Sequence, residues 1–140
     1  MDSKQANSYT HDHMILAILD MYPKLQPGRD FLVSHPITPE GDQAGAPTIS
    51  VWSNANLKPT DDEVHTHFEA NEAALRAKYL RFYRDLFLSG TDGNADLPSD
   101  SPECIKGQCN AWRTYRQQLR DLPNQPGFPM SINWPEFPDS

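Results

Sequence analysis

Thr48-Ile49-Ser50-Val51-Trp52-Ser53-Asn54-Ala55-Asn56-Leu57-Lys58-Pro59-Thr60-Asp61-Asp62-Glu63-Val64 passes from one backbone period to another, and that change decides the fold class. Its first residues alternate as a half-buried strand does, with Ile49 and Val51 on one face and Ser50 and Trp52 on the other. Its last residues read as a helix start. Thr60 offers an N-cap oxygen, Glu63 stands three residues later as the capping-box partner, and the acids Asp61, Asp62 and Glu63 sit at the positive end of the helix dipole. A strand followed by a polar loop and a capped helix predicts an α+β chain.

Toward the N-terminus, Phe31-Leu32-Val33-Ser34 forms a second short run between Pro27-Gly28 and Pro36, with Phe31 and Val33 on one face and Leu32 on the other. A loop marked by Pro36, Pro39, Gly41 and Gly45 joins the two runs into a β-hairpin, whose two edges leave room for a partner strand. Thr10 is placed to cap a helix from His11 to Tyr22, with Ile15, Ile18, Leu19 and Tyr22 as its apolar face and Pro23 as its stop. Residues 1–8 are polar and are expected to fray.

Toward the C-terminus the helix opened by Thr60 should run to Leu88, about 28 residues and about 42 Å. Val64, Phe68, Leu75, Tyr79, Phe82 and Leu86 follow a three-four alternation, and Leu80, Tyr83 and Phe87 broaden the stripe. The stripe packs either against the last helix or against another chain, so self-association through the central helix stays open on this spacing. Residues 89–107 are rich in Ser, Asp, Gly, Asn and Pro and read as a loop. A closing helix from Asn110 to Leu122 sets Trp112, Tyr115, Leu119 and Leu122 on one side, and Pro123 stops it. Pro126-Gly127 imposes a turn, and Pro129, Pro135 and Pro138 hold the remainder extended. The expected organisation is an N-terminal helix and β-hairpin module (1–58), a long central helix (59–88), a flexible loop (89–109), and a C-terminal helix with an extended aromatic and proline tail (110–140).

Composition narrows the function. A chain of 140 residues suits one domain or a small module with a helical extension, and 37% hydrophobic content with 13 prolines favours long loops and surfaces completed by a partner. A formal net charge of −7 argues against nucleic acid as partner, because phosphate contacts need clustered bases. The bases between Arg76 and Arg84 and between Arg113 and Arg120 read as solvated helix faces. No signal peptide and no apolar run long enough to span a membrane is present, so a soluble cytosolic protein is expected.

Little in the sequence supports chemistry. His65 and His67, two apart on a helix, point about 200° from each other and read as solvated polar positions rather than a shared metal site. His11 and His13 repeat that spacing without defining a site. Cys104 and Cys109 lack the C-x-x-C pairing or neighbouring His that zinc wants, and read as thiols in a loop. The acids 61–63 are explained by the helix start. No phosphate loop, nucleophile elbow or zinc-protease helix occurs. The chain is therefore expected not to be an enzyme and to need no cofactor; a small metal-dependent hydrolase using His65, His67 and the acidic run is the remote alternative.

Aromatic residues gather instead in the last thirty positions, and Trp and Tyr are the residues that most often supply interface hot spots. Trp112, Tyr115, Arg116, Phe128, Trp134 and Phe137 are the candidate partner-binding residues. Trp112 and Tyr115 serve equally well as core. Trp134 and Phe137, with prolines on every side, have less local core to enter and are the better candidates for partner contact.

The series Trp112-Arg113-Thr114-Tyr115-Arg116-Gln117-Gln118-Leu119-Arg120-Asp121-Leu122-Pro123, then Gln125-Pro126-Gly127-Phe128-Pro129, then Ile132-Asn133-Trp134-Pro135 resembles the C-terminal signature of bacteriophage tail fibre assembly proteins and tail assembly chaperones. The likeness covers residues 111–138. A weaker one at Ile15 to Pro23, Pro27 to Phe31, Ile49 to Trp52 and Lys58-Pro59-Thr60 resembles the small N-terminal module that precedes the long helix of phage chaperones. The chain departs from the pattern at Thr91-Asp92-Gly93 and Leu97-Pro98-Ser99-Asp100, where relatives carry a Trp and a shorter spacing, so its partner surface is expected to differ. The resemblance implies a protein that binds a phage tail fibre or another tail protein and assists its folding, trimerisation or attachment without turning over a substrate. It would work in the host cell cytoplasm, or stay in the virion tail as a fibre-to-baseplate connector.

Overall fold

The computed structural model describes residues 1–91 and 103–138, with backbone alone over 103–108. Its elements run α1 (Ser3–Asn7), α2 (His11–Met21), β1 (Phe31–Ser34), β2 (Thr48–Trp52), α3 (Asp61–Ala70), α4 (Glu72–Gly90), α5 (Glu103–Arg120) and a 3-10 turn (Leu122–Asn124). The class is α+β, as the sequence predicts. The chain forms two compact units, Ser8–Tyr79 and Met1–Asn7 with Leu80–Ser140.

In the unit Ser8–Tyr79, α2 packs on α3 and on the hairpin around Met14, Ala17, Ile18, Phe31, Ile49, Val64, Phe68 and Leu75. Thr10 caps α2 as expected, but the buried face is centred on His13, Met14, Ala17 and Ile18, with Ile15, Leu19 and Tyr22 only half-buried. The run Met14–Leu19 is apolar all round, so periodicity alone does not choose which side turns inward. His13 takes the place a Glu or Gln usually fills in a capping box: its Nδ1 accepts from the Thr10 backbone N–H at 3.0 Å.

The hairpin occupies the expected residues and is antiparallel, pairing Phe31 with Trp52, Leu32 with Val51, Val33 with Ile49 and Ser34 with Thr48. Ser50 has no opposite number. This bulge corrects the strict alternation expected of β2, while β1 alternates as expected: Ile49 and Trp52 turn toward the core, and Val51 turns out with Leu32. Ser50 Oγ donates to the Leu32 carbonyl at 3.2 Å and holds the bulge. The Trp52 ring lies 6.0 Å from Phe31 and 5.7 Å from Tyr22. Asp61, first residue of α3, accepts from the Ile49 N–H at 2.9 Å and ties the sheet to the helix start.

Thr60 accepts from the Glu63 N–H at 3.1 Å, so the expected cap is present. The single long helix is not. Asn71 ends α3, its backbone N–H reaching the carbonyls of His67 and Phe68 and its side-chain amide donating to His67 O at 2.9 Å. An asparagine that bonds the preceding turn competes with helix continuation, and α4 restarts at Glu72. Arg76, expected on a solvated face, is only 7% exposed. Its Nε donates to Glu72 at 2.9 Å, its Nη1 to the Ser8 carbonyl at 3.2 Å, and its guanidinium lies 5.4 Å from the Phe68 ring centre.

In the other unit α5 begins at Glu103 rather than Asn110, so Cys104 and Cys109 lie on a helix and not in a loop. Helix geometry spaces positions five apart by about 7.5 Å along the axis, beyond the roughly 7 Å of Cα separation that a disulfide tolerates. Residues 92–102, which include Asp92-Gly93 and Leu97 to Asp100 of the departure noted above, lie outside the described residues. Residues 1–8, expected to fray, include α1, with Ala6 1% exposed.

Candidate partner-binding site

The site is built on the closing helix. Tyr115, Leu119 and Leu122 recur at the spacing that keeps them on one side of α5 and its 3-10 extension, and all three are buried. Gln125-Pro126-Gly127-Phe128-Pro129 then turns the chain. The amides of Met130 and Ser131 both reach the Gly127 carbonyl at 2.9 Å. A Cβ on Gly127 would stand 2.3 Å from the Ser131 carbonyl oxygen, so only glycine fits.

The terminal segment that follows is fastened by two reciprocal amide clasps. Asn7 donates to the Ile132 carbonyl at 3.1 Å and accepts from its N–H at 2.9 Å; Gln125 does the same for Asn133, both at 2.8 Å. These side chains stand in for a neighbouring strand. The Trp134 N–H donates to Ser3 Oγ at 2.8 Å. Beyond Trp134, residues 135–138 make no hydrogen bond among the described residues, and the segment is held by ring contacts.

Those contacts define an aromatic cradle. Phe137 lies 5.3 Å from Tyr115 at 31°, 5.6 Å from Phe87 at 67° and 6.0 Å from Trp112 at 61°, while Trp134 lies 5.7 Å from Phe87. Edge-to-face and offset rings at such separations attract beyond their buried area. Tyr115 is 2% exposed and its hydroxyl finds no hydrogen-bond partner among the described residues. Burial pushes its pKa up, so it remains a phenol.

The candidate partner-binding residues thus separate. Phe137 keeps 53% of its surface open. Trp112 and Phe128 are half-buried, with Arg81 lying 5.7 Å from the Phe128 ring centre. Trp134, expected to stand open for a partner, is 5% exposed and enters its own unit, because Ser3 and Phe87 supply the local core that its flanking prolines do not. Arg116 works inside the unit as well: its guanidinium donates to the Leu88 carbonyl and to Thr91 Oγ1, capping the end of α4 where a cation offsets the helix dipole. Ser3 and Asn7 escaped the sequence reading, and Phe87 was legible only as part of the central-helix stripe; no local signal ties residues 3 and 7 to residues beyond 130.

Other apolar side chains are open. Leu32 and Val51 form a cross-strand pair on the outer face of the hairpin, 45% and 43% exposed. On α4, Phe82 and Leu86 stand one turn apart, 62% and 54% exposed, where the stripe was expected to be covered; the buried side of this helix shifts from Leu75 and Tyr79 to Leu80.

The histidines are structural rather than solvated. Tyr9, whose pKa is raised chiefly by burial and further by the carboxylates of Asp61 and Glu69, shares a hydrogen bond of 2.7 Å between its hydroxyl and His65 Nδ1. His67 Nε2 bonds Asp20 at 2.7 Å. The two rings reach separate partners. Among the described residues no three His, Cys, Asp or Glu side chains converge as metal ligands, and no helix is long and apolar enough to cross a membrane.

Residues 77–139, which hold α5, the turn and the cradle, match the family model of the phage tail assembly chaperone protein. The C-terminal part of this chain is thus similar to phage tail assembly chaperones. Residues 14–76 match a second phage tail-related family, the XkdW protein. The seam between the two matched stretches falls inside α4, three residues from the Tyr79/Leu80 boundary of the compact units. No curated protein and no solved structure matches the chain. The two matches, both to phage tail-related families, support a role in phage tail assembly.

Proposed function

We propose that this protein is a non-enzymatic assembly chaperone that binds a phage tail protein, a tail fibre, and shields its exposed apolar surface or unpaired strand edge until the client trimerises or docks. The observation that carries this reading is the family match over residues 77–139. The open apolar pairs Leu32 with Val51 and Phe82 with Leu86 support it, since clustered exposed apolar side chains mark interaction surfaces. A short hairpin, joined by no third strand among the described residues, supports it too, because a client strand can add to its edge. The work would be done in the host cytoplasm, where unassembled tail proteins expose aggregation-prone surface.

Co-expression with a phage tail fibre gene, followed by size exclusion with light scattering and a check of purified particles for this chain, tests it. Soluble fibre trimers that require this chain, with none of it in purified particles, are the expected result. Its presence in particles at fixed stoichiometry would make it a connector that stays bound, and fibres that fold equally well without it would overturn the proposal.

A further inference from the structure

Phe137 caps a cradle that does not suit it fully. Its ring meets Phe87, Trp112 and Tyr115, yet the Tyr115 hydroxyl beneath is buried with no hydrogen-bond partner among the described residues, and leaving a buried hydroxyl unsatisfied is costly. A phenylalanine has nothing to offer that hydroxyl. The resident is also loosely tied. Among the described residues, hydrogen bonding of the segment ends at Trp134, and half of Phe137 remains in solvent.

We propose that the cradle of Phe87, Trp112 and Tyr115 is a binding groove for an extended segment of a client protein, that Phe137 is its built-in competitor, and that a client displaces it. The resident shows what the groove takes: an aromatic ring between prolines, Pro135-Glu136-Phe137-Pro138, presented on an extended backbone. The client segment therefore carries a proline-flanked aromatic residue, and it adds an acceptor, such as a backbone carbonyl, that Tyr115 can reach. Proline-rich segments bind aromatic surfaces with little chain entropy to lose. Two states follow. Without client the cradle is covered and the protein does not expose its stickiest surface; with client, Phe137 swings out. This deepens the chaperone reading and rests on it for the identity of the client.

The test needs no client. A synthetic peptide with the sequence of residues 135–140 is titrated into the full chain and into its Phe137→Ala variant, following the indole resonance of Trp112 by NMR. The tethered segment competes at an effective concentration of order millimolar, so Phe137→Ala should bind the peptide at least about tenfold more tightly than the unmodified chain. A peptide with alanine in place of the phenylalanine should not bind. Equal affinity for both chains, equal binding of both peptides, or no binding to Phe137→Ala would overturn the proposal. Tyr115→Phe in the otherwise unmodified chain should leave the melting temperature equal or higher; a fall would show that the hydroxyl serves the fold and not a client. Failure of the co-expression experiment with success here would leave the groove intact and remove only the fibre.

Discussion

His13 is the residue whose chemistry departs furthest from its free behaviour. It is fully buried, 4.0 Å from the Tyr79 ring and 5.7 Å from that of Phe68, with Nδ1 accepting from Thr10. Burial first, then the charges of Arg76 and His11, push its pKa down from 6.5 to about 3. The folded protein holds this imidazole neutral where the unfolded chain takes up a proton. Stability should therefore be complete above pH 6.5 and fall as pH drops toward 3, by up to about 1.4 kcal/mol per pH unit. Urea midpoints at pH 7.5 and pH 5 should differ more in the native protein than in His13→Gln, which keeps an acceptor for Thr10 but cannot be protonated. Arg116 gives a second prediction at this scale. Arg116→Ala leaves the Leu88 carbonyl and Thr91 without their cation and should lower stability by about 1.5–3 kcal/mol, measured by chemical denaturation, because bonds to a charged donor are the costly ones to lose.

At the scale of elements, the turn after α5 is the most exacting. Gly127→Ala would drive a methyl into the Ser131 carbonyl, and backbone does not yield as a flexible side chain does. The variant should be destabilised by more than about 1 kcal/mol, with Phe128 and the terminal segment losing order first, visible as sharpened NMR lines over residues 128–138. A contrasting case lies in β2. Deleting Ser50 would restore strict pairing and leave Ile49 and Trp52 two apart on the core face, so Trp52 fluorescence should keep its wavelength; a red shift would show that the bulge itself is needed to turn Trp52 inward. These two elements also mark what the sequence could tell. Both strands, the Thr10 and Thr60 caps and the Gly127 turn are written in neighbouring residues and were legible. The bulge was not, since Ser50 looks like any outward polar residue until its pairing is known. Neither was the break at Asn71, where apolar spacing runs on undisturbed while the side chain bonds backward. The start of α5 was hidden by loop-like composition around Gly107. In the candidate site, the grouping of Trp112 with Tyr115 follows from helix spacing. The burial of Trp134 does not, because its neighbours come from Ser3 and Phe87 far away in the chain.

At the scale of the whole molecule, one unit is continuous in sequence and the other is not. Removing residues 1–7 should strip the Ile132 and Trp134 amides of their acceptors and raise their hydrogen-exchange rates. Exchange protection at Met14, Ile18 and Phe68 should be retained, since their core is built within Ser8–Tyr79. Protection lost equally in both sets would mean that the two units open together.

The clasps that join Ser3 and Asn7 to Trp134 and Ile132 also set an order of birth. A ribosome delivers Asn7 125 residues before Ile132, and Ser3 131 before Trp134. At a synthesis rate of about 5–20 residues per second, the stretch from Tyr79 to the final clasp takes on the order of several seconds. During that time Ser8–Tyr79 has every partner its core requires, while α1 waits with its hydrogen-bonding groups in water. Ser8–Tyr79 is thus completed first, and the aromatic cradle is capped only after Phe137 has been added to the growing chain.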